Sequence, residues 1–132
     1  MNELERLEII PYDTTLRDGA QTPGVTLTVD AKLRIAPRLA EFSIPYIEGG
    51  WPDSNPTDVE FFRRARNLHL TNSKLVAFGS TIKVNETPAS SVVMKALLES
   101  ETEVVTVFGK SWMLHVEEAL MTTGPRNLEM IS

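Results

Sequence analysis

Three charged side chains stand close together in the segment Asp13-Thr14-Thr15-Leu16-Arg17-Asp18-Gly19-Ala20-Gln21. Arg17 is always charged and lies beside the carboxylates of Asp13 and Asp18. This combination can hold a divalent cation and an oxyanion at the same time. The alternative is that Arg17 only pairs with Asp13 or Asp18 in a solvated loop, since exposed pairs of this kind are common. The spacing of the residues favours the two interpretations equally.

A second candidate, Glu48, ends an apolar segment and precedes the dipeptide Gly49-Gly50. A carboxylate at this position either points into a ligand site or caps the turn that follows. Trp51 lies in the same loop, where it either forms the wall of a pocket or stiffens the loop. The sequence leaves each pair of alternatives open.

These residues must be positioned by short apolar segments that alternate with longer amphipathic ones, a pattern typical of repeated strand-helix units. The predicted strands are Leu7 to Tyr12, Pro45 to Glu48, Leu75 to Phe78 and Val104 to Phe108. Their centres recur roughly every 30 to 38 residues, about the length of one βαβ unit. The sequence therefore predicts a parallel sheet in the α/β class.

The predicted helices have recognisable start signals, with N-caps at Thr28, Asn55 and Thr87. Pro37 falls inside the first helix, where it should cost about 3 kcal/mol unless the helix kinks or starts late. In the second helix, the periodicity predicts that Val59, Phe62 and Ala65 share the buried face. A last helix is expected from near Ser111 through Leu120, and the segment Thr122-Thr123-Gly124-Pro125 is interpreted as a breaker.

Ligands of parallel β/α sheets bind beyond the carboxyl ends of the strands. Both acidic candidates lie there: Asp18 follows the first predicted strand, and Glu48 ends the second. The third strand is followed by Gly79-Ser80-Thr81 and the fourth by Gly109-Lys110. The sequence thus predicts one site at this end of the sheet.

Composition excludes several classes of protein. The 132 residues carry 13 Lys and Arg against 18 Asp and Glu, for a net charge of −5, which argues against nucleic acid as a partner. The chain has no cysteine, so disulfides and thiolate metal sites are excluded and a reducing compartment is favoured. No apolar run is long enough to span a membrane, and the first residues are acidic rather than basic. We therefore expect a cytoplasmic protein without a membrane partner.

The segment from Tyr12 to Gln21 resembles the signature of the DRE-TIM metallolyases, the family of isopropylmalate, homocitrate and citramalate synthases and hydroxymethylglutaryl-CoA lyase. Further along the chain, three segments are similar to the citramalate synthase branch: Tyr46-Ile47-Glu48-Gly49-Gly50-Trp51-Pro52 with Ser54-Asn55-Pro56 and Asp58, then Ala77-Phe78-Gly79-Ser80-Thr81, and Val107-Phe108-Gly109-Lys110. The resemblance extends from about Leu7 to Ile131.

The resemblance implies a metal-dependent Claisen-type condensation of acetyl-CoA with a 2-oxo acid, pyruvate in the citramalate branch, on the route to isoleucine. Asp18 would be a ligand of a divalent cation, Mg²⁺ or Mn²⁺. Arg17 would stabilise the oxygen charge that develops as the carbon-carbon bond forms, and would contact the substrate. Glu48 would lie next to the metal and the substrate as a second catalytic residue. Gln21 and Thr81 would bind substrate.

Two departures from the family pattern affect these expectations. The family completes its metal site with a His-x-His pair from a later strand, and this sequence has no such pair. The family also places glycine after its first helix, where this chain has Phe42-Ser43-Ile44. The first departure concerns the metal ligands, and the second concerns the turn that leads from the first helix into the second strand.

A complete (β/α)₈ barrel takes about 250 residues, so four predicted strands correspond to roughly its first four units, a partial barrel. We interpret residues 1–132 as the N-terminal part of a pyruvate carboxyltransferase-type (HMGL-like) TIM-barrel domain, with no second domain. Such a sheet exposes both outer strands, so we expect a homo-oligomer or pairing with the C-terminal half of the barrel.

Two other functions stay open on the sequence. An isopropylmalate synthase would use the same acyl donor and metal with a different 2-oxo acid. A remnant without catalytic activity, or an interaction module, would keep the sheet edge and some ligand contacts without turning over.

Overall fold

The computed structural model describes residues 8–132, in which four parallel strands form one sheet in the order β1-β2-β3-β4. The strands are β1 (Tyr12–Asp13), β2 (Tyr46–Gly50), β3 (Lys74–Ser80) and β4 (Val104–Phe108). The helices are α1 (Val29–Glu41), α2 (Pro56–Ala65), α3 (Val92–Glu99) and α4 (Gly124–Ile131). The predicted α/β class and the strand-helix units of a partial barrel are confirmed.

Strand β1 is shorter than predicted and lies later in the chain. Leu7 falls outside the described residues, and residues 8–11 form no strand. Ile9 and Ile10 are exposed, and Pro11 has no amide hydrogen to donate to a neighbouring strand. Pairing with β2 therefore starts only at Tyr12, which lies opposite Tyr46. Strand β2 starts one residue later and ends two residues later than predicted, β3 extends beyond both of its predicted ends, and the predicted bounds of β4 are confirmed.

The N-caps predicted for the first two helices are confirmed, whereas the one predicted for the third lies four residues too early. The side chains of Thr28 and Asn55 accept hydrogen bonds from the amides of Ala31 and Asp58, three residues further on. Thr87 caps a short 3₁₀ helix, Pro88–Ser90, before Ser91 caps α3. Helix α1 neither starts late nor ends at Pro37, because buried Ala36 and Ala40 anchor it on both sides of the proline.

The C-terminal segment differs most from the prediction. Between Ser111 and Leu120 the chain forms a short π-helix, His115–Ala119, in which the Leu120 amide donates to the His115 carbonyl. The predicted breaker then starts α4, since the Thr123 hydroxyl accepts from the Arg126 amide and Pro125 occupies the first turn. A proline is compatible with the first turn of a helix, where its missing donor has no partner to lose.

The core lies between the helices and the outer face of the sheet. Its fully buried members include Leu16, Ala36, Ile47, Phe61, Phe62, Ala77, Val93 and Leu97. One predicted core residue, Val59, is exposed instead, because α2 turns Phe61 toward the sheet. Within residues 8–132, no helix is both long enough and apolar enough to cross a membrane.

Candidate functional site

The loop after β1 is a tight turn whose side chains point in different directions. The amides of Arg17, Asp18 and Gly19 all donate to the Thr14 carbonyl, at 3.1, 2.8 and 3.1 Å. Leu16 is fully buried and anchors the turn in the core. Asp13 accepts from the amide and hydroxyl of Thr15, so it stabilises the turn and does not pair with Arg17. Arg17 is left to reach across the sheet.

Arg17 makes its principal contact with Glu48. Its Nε donates to Glu48 Oε1 at 2.5 Å, and its Nη1 donates to Asp18 Oδ1 at 2.9 Å. Glu48 is only 1% exposed, whereas the Asp18 side chain is 62% exposed. The Glu48 carboxylate is buried against Arg17 and Tyr12, behind the cavity, and does not cap the turn that follows. Arg17 does pair with Asp18 in the loop, but it also pairs with the buried Glu48, which a solvated loop pair would not require.

Tyr12 completes the environment of Glu48 and was not among the predicted site residues. Its hydroxyl donates to Glu48 Oε2 at 2.5 Å and lies 2.7 Å from Thr106 Oγ1 on β4. Partial burial, followed by the hydrogen bond to Glu48, raises the pKa of Tyr12 to about 12. The two oxygens of Glu48 therefore each accept from a different neighbour. The signal available in the sequence was the position of Tyr12, directly before the polar segment.

An aromatic wall stands beside the Arg17 guanidinium. The Arg17 Cζ lies 4.1 Å from the centre of the Phe78 ring, and Trp51 packs edge-on against the same ring at 5.3 Å. A guanidinium over an aromatic face gains a favourable interaction while keeping its edge available to a ligand. Trp51 thus forms part of a pocket wall, one of the two roles that the sequence allowed.

These side chains border a cavity of about 790 Å³ at the carboxyl ends of β3 and β4. Three predicted site residues, Arg17, Gln21 and Thr81, line it together. Glu48 lies behind Arg17, and Asp18 lies on the exposed side of the same guanidinium. The arrangement offers a fixed positive charge and an apolar wall, which suit an anionic or polar ligand with an apolar part.

A second buried ion pair supports the loop that carries Trp51. Lys32 Nζ donates to the carboxylate of Asp58 and, at 3.0 Å, to the Gly49 carbonyl. Asp58 Oδ2 also accepts from the Trp51 amide at 2.8 Å. Position 50 requires glycine, because a Cβ at Gly50 would lie 2.5 Å from the Asp58 carboxyl carbon. Burial of Lys32 was not predicted from the sequence, since a lysine within an amphipathic helix is ordinarily exposed.

The carboxylates present do not by themselves suit a metal ion. Both oxygens of Glu48 are hydrogen-bonded, and Asp18 shares one oxygen with Arg17. Across residues 8–132, no three His, Cys, Asp or Glu side chains come together in a group that could hold a metal. Asp18 can therefore supply one ligand but not a complete coordination sphere.

The chain is similar in sequence to known proteins. A family model described as HMGL-like matches residues 8–129. The (R)-citramalate synthase of Aquifex aeolicus is 52% identical over 120 residues, which cover 91% of this chain and 23% of that protein. The (R)-citramalate synthase of Synechocystis is 49% identical over 92% of this chain and 22% of its own length. The 2-isopropylmalate synthase of Pyrococcus furiosus is 34% identical over 85% of this chain and 21% of its own length.

The chain thus spans less than a quarter of the length of these curated relatives, and the part that matches contains every residue of the site described above. The match covers the loop after β1, the end of β2 and the cavity beyond β3 and β4. This chain belongs to the HMGL-like family.

Proposed function

We propose that this chain forms the N-terminal part of the catalytic barrel of an acyltransferase that condenses acetyl-CoA with a 2-oxo acid. The observation that carries the proposal is the Arg17 guanidinium, which Glu48 holds in place at the wall of a cavity beyond the strand ends. The identity to (R)-citramalate synthases over nine-tenths of the chain supports the same reaction.

The chemistry of the condensation matches these residues. The methyl carbon of acetyl-CoA loses a proton and bonds to the oxo carbon of the acid as the C=O π bond opens. Negative charge develops on the oxo oxygen, which then takes up a proton and becomes the hydroxyl of the product. Water then cleaves the thioester and releases CoA. The charge of Arg17 stabilises the developing oxyanion, and Glu48 orients Arg17 by accepting from its Nε. Gln21 and Thr81 line the same cavity and bind the substrate.

The finer proposal is that the 2-oxo acid is pyruvate and the product citramalate. It is supported by the higher identity to the two (R)-citramalate synthases than to the Pyrococcus 2-isopropylmalate synthase. The alternative acid is 3-methyl-2-oxobutanoate, which would give 2-isopropylmalate. Such an enzyme of amino-acid biosynthesis, without cysteine, belongs in the cytoplasm.

The test is release of free CoA thiol by the purified chain, given acetyl-CoA, Mn²⁺ and either 2-oxo acid. The chain has no cysteine, so it contributes no thiol background. If self-association of the chain completes a working site, release depends on pyruvate and is lost in Arg17→Gln. Arg38→Gln, which changes an exposed arginine paired with Glu41, is the matched control. No release from a folded chain would contradict catalysis by this chain alone, and a preference for the branched acid would contradict the assignment of pyruvate.

Asp18 is proposed as one ligand of Mg²⁺ or Mn²⁺, with the remaining ligands supplied by another polypeptide segment. When bound, the cation would polarise the oxo group of the substrate as a Lewis acid. We expect Mn²⁺ to raise the melting temperature of the chain and Asp18→Asn to abolish this rise. Asp30→Asn is the control, because Asp30 is equally exposed and pairs with Arg64. An unchanged rise in Asp18→Asn would reject Asp18 as a ligand.

A second candidate function is a binding module that takes up the ligand without turnover. The observation in its favour is the donor set, since residues 8–132 bring no three metal-binding side chains together. This function predicts binding of pyruvate or acetyl-CoA by the folded chain without release of thiol. Combined binding and thiol measurements on one sample therefore distinguish the two functions.

Self-association is part of the proposal, because β1 and β4 are the outer strands of the sheet and each exposes one edge. On β4, the apolar side chains of Val105, Val107 and Phe108 are about half exposed. An apolar strand at an open sheet edge favours pairing with another chain. We expect light scattering to give at least a dimer. A compact monomer that unfolds cooperatively would contradict this expectation.

A further inference from the structure

The cationic side chains that line the cavity differ in whether carboxylates of the protein pair with them. Three cationic side chains line it: Arg17, Lys83 and Lys110. Arg17 is compensated by Glu48 and Asp18. The carboxylate in the lining, that of Glu86, accepts a hydrogen bond from the backbone amide of Lys83, which lowers the pKa of Glu86. The ion pairs formed within residues 8–132 include neither Lys83 nor Lys110, and of these two only Lys110 has its ammonium group over an aromatic ring of the lining.

Lys110 is held at the cavity by its own main chain. Its carbonyl accepts from Asn127 Nδ2 of α4 at 2.8 Å, and Asn127 is buried. The preceding residue, Gly109, packs so closely on α4 that an added Cβ would lie 3.0 Å from Ile131 Cγ1. A surface lysine ordinarily has no such support. Here the helix fixes the backbone from which the side chain extends.

The side chain of Lys110 is directed along the aromatic lining. Its Nζ lies 5.1 Å from the centre of the Phe108 ring, and both residues border the cavity. Lys110 itself is half-buried, so its aliphatic stem packs on the cavity lining while its ammonium group borders the cavity. A cation that borders the cavity and forms no ion pair within residues 8–132 can pair directly with an anion that enters the cavity.

We propose that Lys110 is an anion-binding residue of this cavity and pairs with a carboxylate or phosphate group of the ligand. The proposal rests on the proposed function for the two sources of the anion, which are the carboxylate of the 2-oxo acid and the phosphates of the CoA donor. It is distinct from the role of Arg17, whose charge two protein carboxylates already balance in the absence of ligand.

Isothermal titration of the purified chain with pyruvate, CoA and inorganic phosphate tests the proposal. We expect Lys110→Met to weaken binding of at least one of these anions about tenfold or more, as loss of a charged hydrogen bond does. Lys110→Arg should restore affinity to within about threefold of the original chain, because it keeps the charge. Lys95→Met, which removes an exposed lysine of α3, should bind like the original chain.

Neutral analogues distinguish the two sources of the anion. If Lys110 binds the carboxylate, Lys110→Met weakens pyruvate but not methyl pyruvate. If it binds phosphate, Lys110→Met weakens CoA but not pantetheine. Equal affinities of the original chain and Lys110→Met for every anion, or no anion binding by the folded chain, would overturn the proposal. Phosphate binding that depends on Lys110, without binding of pyruvate or CoA, would keep it and contradict the proposed function instead.

Discussion

Lys32–Asp58 and Arg17–Glu48 are two ion pairs near the carboxyl end of β2 that differ in how completely protein atoms surround them. Lys32 is 2% exposed, and the hydrogen bonds of the first pair reach Gly49 of β2 and Trp51 and Asn55 of the loop between β2 and α2. The Arg17 side chain is 18% exposed and borders the cavity. We call the first pair closed, because its side chains are only 2% and 8% exposed, and the second open, because Arg17 borders the larger cavity.

This difference in exposure suggests that the two ion pairs have different roles. Asp58 accepts from Lys32, from the Trp51 amide and from Asn55, so its oxygens are occupied by groups that shape the loop. Arg17 instead keeps one face on Phe78 and lies where a ligand can approach. We infer that the closed pair holds the loop and the open pair acts on the substrate. Each of the following variants tests one side of this contrast.

The largest effect is expected for Lys32→Met. It leaves the Asp58 carboxylate buried without its cation, and loss of one partner of a buried pair costs about 3–5 kcal/mol. Urea unfolding followed by circular dichroism measures the change. The double variant Lys32→Met/Asp58→Asn should lose less than Lys32→Met alone, because it removes the unpaired charge. Arg38→Met, on an exposed pair, should change the free energy of unfolding by less than about 1 kcal/mol. Equal losses in Lys32→Met and Arg38→Met would contradict the closed pair.

Glu48→Gln should have an intermediate effect on stability, about 1–3 kcal/mol. The amide keeps one oxygen for Arg17 or Tyr12, but its NH₂ group then faces a second donor. Arg17 retains Asp18 and partial access to water, so its charge is less costly to leave than that of Asp58. Urea unfolding beside Lys32→Met gives the comparison. A loss as large as that of Lys32→Met would show that the Arg17 pair is also closed.

Tyr12 gives the open pair a pH dependence. Its pKa is raised to about 12 in the folded chain, whereas an unfolded tyrosine releases its proton near pH 10. Between these values the folded chain binds more protons than the unfolded one, so the stability from Tyr12 is complete below pH 10 and is lost as the pH rises through 12. Since Tyr12 is 40% exposed, solvent screening reduces the expected loss to about 1 kcal/mol.

Unfolding free energies at pH 9 and pH 11.5 test this expectation, with tyrosinate absorbance near 295 nm as the titration signal. Tyr12→Phe should remove about 1 kcal/mol of the pH dependence. Tyr46→Phe is the matched control, because the Tyr46 ring stacks on Tyr12 at 6.2 Å while Glu48 receives its hydrogen bond from Tyr12. The same pH dependence in Tyr12→Phe and the original chain would show that the hydrogen bond to Glu48 does not control this titration.

The sequence was informative where a local rule decides the structure. Thr28 and Asn55 cap helices because their side chains reach an amide three residues on, and β4 was correct to the residue. The inward direction of Glu48 and the burial of Lys32 depend instead on partners 31 and 26 residues away. No periodicity within one element shows such partners. Tyr12 was missed for the same reason, since Glu48 and Thr106 reach it only once the sheet is formed.

Substitution of Ser43 is expected to give the smallest change in the free energy of unfolding. The resemblance predicts glycine after the first helix, and the structure shows why: Ser43 has a φ of 60° directly after the C-cap of α1. A side chain at this left-handed position costs about 1–2 kcal/mol. Glycine relieves that cost but loses more entropy on folding, so Ser43→Gly should raise the free energy of unfolding by about 0.5–1 kcal/mol.

Asn72→Gly is the matched control for Ser43→Gly, because Asn72 has a φ of 59° and asparagine tolerates this conformation. Its free energy of unfolding should change little. Urea unfolding of both variants measures the difference. A gain at Asn72 equal to that at Ser43 would mean that the left-handed backbone, and not the serine side chain, sets the cost. Since α1 also carries Lys32, a gain confined to Ser43 would stabilise the helix that holds the closed pair and leave the open pair unchanged.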